Sequence, residues 1–267
     1  MKVLKQDEFD AYLAFAHRLA DLSSAAVMKH FRKLRLVEDK SVDGAYDPVT
    51  AADRQAEEVI RAEVAETWPE HAVRGEEFGG DVTDTEFCWI VDPIDGTRPF
   101  IMGLPLWGTL IALTRNGTPV LGLMNQPFTG ERFWNNADAT FHRGPDGESA
   151  ITTRPCPKLG DAILSSTSPD LFATQQDKER FDVLSEKVRM RWFGGDCYAY
   201  CLLAAGHIDL IVESGLSAHD IAPLIPIIEH AGGRVTGWDG SEAAAGGHAV
   251  ASGDPALHDE VLKILAG

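Results

Sequence analysis

Positive charge and cysteine are scarce in this sequence, and long apolar runs are missing altogether. Lys plus Arg number 24 against 41 Asp plus Glu in 267 residues, a formal net charge of −17. So acidic a surface repels phosphate backbones and anionic lipid heads, which argues against nucleic-acid and membrane partners. It does not repel divalent cations or a cationic substrate. No stretch of about 18 apolar residues exists to form a membrane span. Asp7 and Glu8 precede any apolar stretch, so no secretory signal is expected and the chain is expected in the cytoplasm. The four cysteines, Cys88, Cys156, Cys197 and Cys201, form no CxxC pair, which excludes a disulfide-stapled mini-protein and favours reduced thiols. Cys197 and Cys201 could share a helix face as thiolate ligands, but small buried residues are the expected reading. There is no low-complexity tract and no internal repeat.

What is present is the mix of a globular enzyme, 44% hydrophobic and 24% charged. The length exceeds what one core usually serves, so two lobes or one large layered domain is expected. Apolar spacings of three and four predict a helix with its stripe running from Phe9 to Phe31 and a second from near Thr50 to Trp68, closed by Pro69. A polar loop, Val37 to Pro48, lies between them. Phe87 to Val91 suits a buried strand. Leu106 to Thr114 and Val120 to Met124 read as a hairpin turned at Arg115-Asn116-Gly117, and the sheet continues to Trp134. Arg143 to Gly147 is the expected boundary between an N-terminal lobe, residues 1–147, and a C-terminal lobe, residues 148–267. Beyond it the pattern alternates: strand Ala162 to Ser166, a helix within Leu171 to Val188, strand Arg189 to Phe193, helix Cys197 to Ala205, strand Ile208 to Glu213, helix Ile221 to His230. That alternation predicts a layered α/β arrangement.

Carboxylates are common here, so their placement matters more than their number. Asp92 and Asp95 follow the apolar strand directly, where layered α/β proteins place reactive groups. Converging there, they need a cation to offset their repulsion. Oxygen ligands select a hard ion, Mg²⁺ or Mn²⁺. The structural alternative has Asp95 capping a helix and Asp92 making a loop hydrogen bond. Glu76 and Glu77, after Gly75, are otherwise a solvated charge run. Thr50-x-x-Asp53 is close to a capping box, and Asp220 is placed to cap the helix that follows it.

The stretch WIVDPIDGTRPFIMGLPLWGTLIAL resembles the signature of the inositol monophosphatase family. HDIAPLIPIIEHAGG, the GEE at 75–77 and the VTAAD at 49–53 match the family's other motifs in order and spacing, so the resemblance spans Asp7 to about Ser252. It implies an α/β fold, a layered αβαβα sandwich, and a metal-dependent phosphatase acting on a small-molecule phosphate ester. Two or three Mg²⁺ per site are implied, with Mn²⁺ possible. Glu76, Asp92 and the Ile94 carbonyl would hold one metal, and Asp92, Asp95 and Asp220 a second. Gly96 and Thr97 amides would bind phosphate. The Thr97 hydroxyl and Asp53 would orient and deprotonate the attacking water, with Glu77 assisting beside the ligands. A homodimer is expected by family analogy alone.

Departures from the inositol-type pattern bear on the substrate. His219 stands where the family usually has Trp, Pro99 where Asn is common, and Asp196 and Tyr198 where small residues are usual. GGDCYAY and HIDLIVESGL are similar to the family's histidinol-phosphate phosphatase branch, which serves a late step of histidine synthesis. Glu213 matches the position contacting the leaving group, and Asp196 would add a second carboxylate facing an ammonium. His219 is a further candidate for binding the substrate, and Trp107 and Tyr198 for packing on its imidazole; the alternatives are Asp196 as a helix cap, His219 as a packing histidine, and Trp107 and Tyr198 as core. Two other functional readings are a broader inositol- or sugar-monophosphatase and a non-catalytic member that binds metal or a partner, the latter disfavoured because Asp53, Glu76, Asp92, Asp95, Thr97 and Asp220 are all present.

Overall fold

The computed structural model describes residues 4–33, 38–39, 48–49, 51–80 and 85–266. Most of the Val37 to Pro48 loop and the Thr50 cap lie outside the described residues. The chain begins with α1 (Gln6–Val27). A two-residue antiparallel ladder, β1 (Glu38–Asp39) with β2 (Pro48–Val49), precedes α2 (Ala51–Thr67). Next come β3 (Ala72–Gly75), β4 (Phe87–Asp95), α3 (Thr97–Met102), β5 (Gly108–Arg115), β6 (Thr118–Gln126), β7 (Glu131–Asn135), β8 (Thr140–Gly144) and β9 (Gly147–Ile151). These strands form a seven-stranded sheet in chain order, antiparallel except for the parallel pair β3–β4. The β5–β6 turn is the expected one, with Asn116 and Gly117 at φ of 50° and 82°.

The second half holds β10 (Ile163–Ser166), α4 (Gln175–Ser185), β11 (Met190–Phe193), α5 (Asp196–Ala204), β12 (Leu210–Ser217), α6 (Ala218–Ile221), α7 (Leu224–His230), β13 (Arg234–Thr236), β14 (Gly246–Ser252) and α8 (Pro255–Ala266). Its sheet has the order β11-β10-β12-β14-β13. Side chains alternate across each strand, so each sheet feeds two cores. Ile111 and Leu113 of β5 point to α1 and α2, against Phe15, Leu19, Ile60 and Val64. Leu110, from the opposite face, meets α5 and α7 in a core shared with Ile211 and Ala251 of the second sheet. Leu210 and Val212 point outward to α4 and α8, against Phe181, Leu184, Leu257 and Val261. The stack is α, β, α, β, α, as expected.

Two expectations are corrected. Arg143 to Gly147 is not a gap between lobes but the turn of the β8–β9 hairpin; a glycine-rich polar turn reads the same in either role. The first sheet ends at Ile151 and the second begins at Ile163, so we propose that any division of lobes falls between those residues. The helix expected over Ile221 to His230 is two, α6 and α7, broken where Pro223 lacks the amide a continuous helix needs. The helix expected within Leu171 to Val188 is there, as α4, after a short 3-10 turn at Pro169–Leu171.

Candidate active site

Strand β4 carries its carboxylates to the edge of a break. Pro93 cannot donate to the sheet ladder, and pairing with β5 shifts register between Asp92 and Asp95. The bulge is tied down on both sides. Thr109 of β5 donates its hydroxyl to the Pro93 carbonyl at 2.8 Å and lies 3.0 Å from the Ser23 hydroxyl of α1. The Ile94 amide donates to Asp92 Oδ1 at 3.0 Å. Gly96, at φ 86°, turns the chain into α3, and Thr97 directs its hydroxyl back to the Ile94 carbonyl at 3.1 Å.

Four other segments meet this bulge. Asp53 is buried in the first turn of α2. Glu76 and Glu77 lie in the turn after β3, and Glu77 is 3.5 Å from Arg54. Asp220 sits in α6, where its Oδ2 accepts the Ser217 amide at 2.7 Å in a capping box. Thus Asp220 does cap a helix, but it is the short α6 rather than the longer helix expected after it. Asp95 Oδ2 accepts the Cys197 amide of α5 at 2.6 Å. Three groups of side chains offer ligand atoms within 4.8 Å of one another: Asp92 with Asp95 and Asp220, Asp53 with Glu76 and Glu77, and Glu76 with Asp92 and His219.

So many carboxylates in partial burial cannot all ionise unaided. Burial pushes Asp92 well above the usual carboxylate range, and Glu76, Asp95, Asp220 and Asp53 push it further. Burial also raises Asp95 strongly, with Asp196 and Asp220 adding to it. Burial raises Asp220 as well. A divalent cation held by oxygen donors fits so dense a group of buried acids.

The substrate candidates are less alike than the sequence suggests. Asp196 opens α5 in the left-handed region, φ 43°, after two glycines of positive φ. Its carboxylate has no hydrogen-bond partner among the described residues, and burial lifts it to about 7, with Arg98 opposing and Asp220 adding. Glu213, at the last regular pair of β12 before a bulge, is buried and raised to about 7 by that burial. Unlike Asp196 it is held on both oxygens, by the Thr167 amide at 2.6 Å and the Ser166 hydroxyl at 3.4 Å. Trp107 is core, packed on Phe31 and Phe100. Tyr198 donates its hydroxyl to Glu131 at 2.7 Å. Cys197 and Cys201 are buried free thiols.

Sequence reasoning missed Glu57. This fully buried carboxylate of α2 accepts the Glu77 amide at 2.7 Å, the Phe78 amide at 3.2 Å and Arg61 Nε at 2.7 Å. Arg61 in turn reaches the Val73 and Gly79 carbonyls. Glu57 therefore fixes the loop that presents Glu76 and Glu77. A side chain on Gly75 would collide with its carboxylate, which accounts for the glycine in that loop. The one signal was the Glu57–Arg61 spacing of four on a helix.

The sequence pattern of the inositol monophosphatase family matches residues 8–266. A chloroplastic bifunctional phosphatase of Arabidopsis thaliana is 41% identical, over 98% of this chain and 77% of that protein. A histidinol-phosphatase of Mycobacterium tuberculosis is 39% identical, over 96% of this chain and 97% of that one. A solved structure described as an inositol monophosphatase from Zymomonas mobilis superposes with a TM-score of 0.86 at 39% identity, over 97% of this chain and 99% of that one.

Proposed function

The chain belongs to the inositol monophosphatase family, and on that premise we propose that it is a Mg²⁺-dependent phosphomonoesterase that hydrolyses L-histidinol phosphate to L-histidinol and phosphate. The observation that carries the substrate choice is the Asp196 carboxylate. It is partly buried, lacks a hydrogen-bond partner among the described residues, and lies near enough to Asp220 and Glu213 for their charges to act on one another. An ammonium or imidazolium placed there restores the balance that burial disturbs. A neutral polyol does not. The 39% identity to a histidinol-phosphatase supports the same choice.

In this reading Glu76, Asp92 and the Ile94 carbonyl would hold one cation, and Asp92, Asp95 and Asp220 would hold another. A bound divalent cation supplies charge neutralisation at the phosphoryl oxygens and acidifies water. The chain's own groups do the rest. Asp53, enclosed at the start of α2, takes the proton of the attacking water. The Thr97 hydroxyl is fixed by its bond to Ile94, so its lone pairs are left to orient that water. Glu77, held through its own amide by Glu57, keeps Glu76 in place. Gly96 and Thr97 amides face the phosphate, and Asp196 and Glu213 receive the cationic leaving group. Family analogy adds the proposal of a homodimer.

The Zymomonas mobilis likeness favours a second reading, an inositol monophosphatase of broader range. The test of function is phosphate release from histidinol phosphate by purified protein with Mg²⁺ and after EDTA. Release that stops with EDTA and returns with Mg²⁺ supports the proposal. No release, or release indifferent to EDTA, overturns it.

A further inference from the structure

We infer that His219 is a nitrogen ligand of the metal centre, completing with Glu76 and Asp92 a mixed nitrogen–oxygen site. The inference rests on reading the acidic cluster as a metal centre, and it assigns His219 to the metal rather than to the substrate. A ring nitrogen of His219 lies within 4.8 Å of carboxylate oxygens of both Glu76 and Asp92. Ligand atoms sharing one ion at about 2.1 Å sit roughly 4 Å apart or less, so a small side-chain adjustment brings the three onto a common point.

His219 and Asp92 both have capacity to spare. His219 Nε2 stands 3.6 Å from Asp220 Oδ1, too far for a hydrogen bond. Among the described residues neither ring nitrogen has a hydrogen-bond partner. Asp92 is 2% exposed, and its Oδ1 is occupied by the Ile94 amide. Its Oδ2 has no hydrogen-bond partner among the described residues, so this buried side chain keeps one oxygen available to a ligand. The ring is also well presented. The Ser217–Asp220 capping box fixes the first turn of α6, so one turn delivers His219 to one group of ligands and Asp220 to another. An imidazole donor moves a site's preference from Mg²⁺ toward later divalent metals of the first row.

The probe is Mn²⁺ alone, added to the purified full chain from substoichiometric amounts to three equivalents. Free Mn²⁺ is followed by EPR, and bound Mn²⁺ by electron spin echo modulation. The expected result is ¹⁴N modulation that changes to the ¹⁵N pattern when only histidine is ¹⁵N-labelled. It should vanish in a folded His219→Phe protein, with Mn²⁺ affinity weakened at least about tenfold. The labelling needs no mutation, so a misfolded variant leaves the test intact. Bound Mn²⁺ without nitrogen modulation overturns the inference while the acidic metal site stands. So does modulation that persists in folded His219→Phe, because another histidine is then the donor. Failure to bind Mn²⁺ at all overturns the metal centre itself, and this inference with it.

Discussion

Asp196→Asn isolates the proposed recognition of a cationic leaving group. The substitution is isosteric, and Asn tolerates the left-handed backbone found at φ 43° as readily as Asp does. Helix α5 and the Cys197 amide that binds Asp95 should therefore stay in place. Glu213 is a poorer choice, because both of its oxygens anchor the Ser166–Thr167 segment. Burial places the Asp196 pKa at about 7, so the carboxylate is largely ionised at pH 8, where the assay belongs. A hydrogen bond to a charged partner contributes roughly 1.5–3 kcal/mol, which corresponds to a loss of roughly 10- to 150-fold in kcat/KM. That loss should appear with histidinol phosphate. Nitrophenyl phosphate, which has no ammonium, should be hydrolysed within about twofold of wild type. Equal damage to both esters would show that Asp196 serves the reacting centre. No damage to either would show that it meets no substrate cation.

Asp92→Asn should abolish turnover, since its carboxylate is assigned to both cations. It also removes a buried charge crowded by four other acids, so the metal-free protein should melt no lower than wild type. The rise in Tm on adding Mg²⁺ should be lost; a retained rise would refute the ligand assignment. Thr97→Ala should leave Mg²⁺ affinity nearly unchanged in a calorimetric titration, with kcat reduced on the order of 10²-fold or more. Lost affinity would mean that the bond to the Ile94 carbonyl shapes the metal site rather than the water. His258 gives a pH dependence of stability. Its ring is buried between the Ser252 and Thr236 hydroxyls at 2.7 and 2.9 Å, and burial holds its pKa at about 4. The unfolded chain gains this proton below about pH 6.5 and the folded chain only near 4, so stability is lost as pH falls through that window. Urea titrations should show the gap between wild type and His258→Gln shrinking by roughly 2 kcal/mol from pH 7 to 4, after allowance for solvent screening.

The layering was legible because its signal is periodic. Apolar spacings located α1 and α2, and alternating strands and helices announced the second half. Short or polar elements were not legible. β8 and β9 carry His142, Arg143, Glu148 and Ser149, and such strands look like loop until a neighbouring edge pairs with them. β13, a short strand, and β14 have no motif on them, whereas α8 carried a readable apolar spacing, Leu257, Val261 and Leu265, that went unused. In the site, the acids at 53, 76, 77, 92, 95 and 220 stood out through a resemblance covering most of the chain, and the fold does bring them together. The residues that hold them, Glu57 and Thr109, act through backbone amides and carbonyls that only the fold brings near. His219 shows the complementary limit. Its departure from the family pattern was visible in the sequence, but its nearness to Glu76 and Asp92 was not.

The central claim is that this metal-dependent site reads a cation on the leaving group. Its most direct test is a competition in one tube. Purified protein with Mg²⁺ is given equal amounts of histidinol phosphate and inositol monophosphate, and ³¹P NMR follows the loss of each. The ratio of the two decay rates is the ratio of kcat/KM values, free of differences in enzyme preparation. The account predicts that histidinol phosphate disappears first, with a ratio of at least about ten, the smallest factor expected from one charge-assisted contact. A ratio near or below one would contradict it.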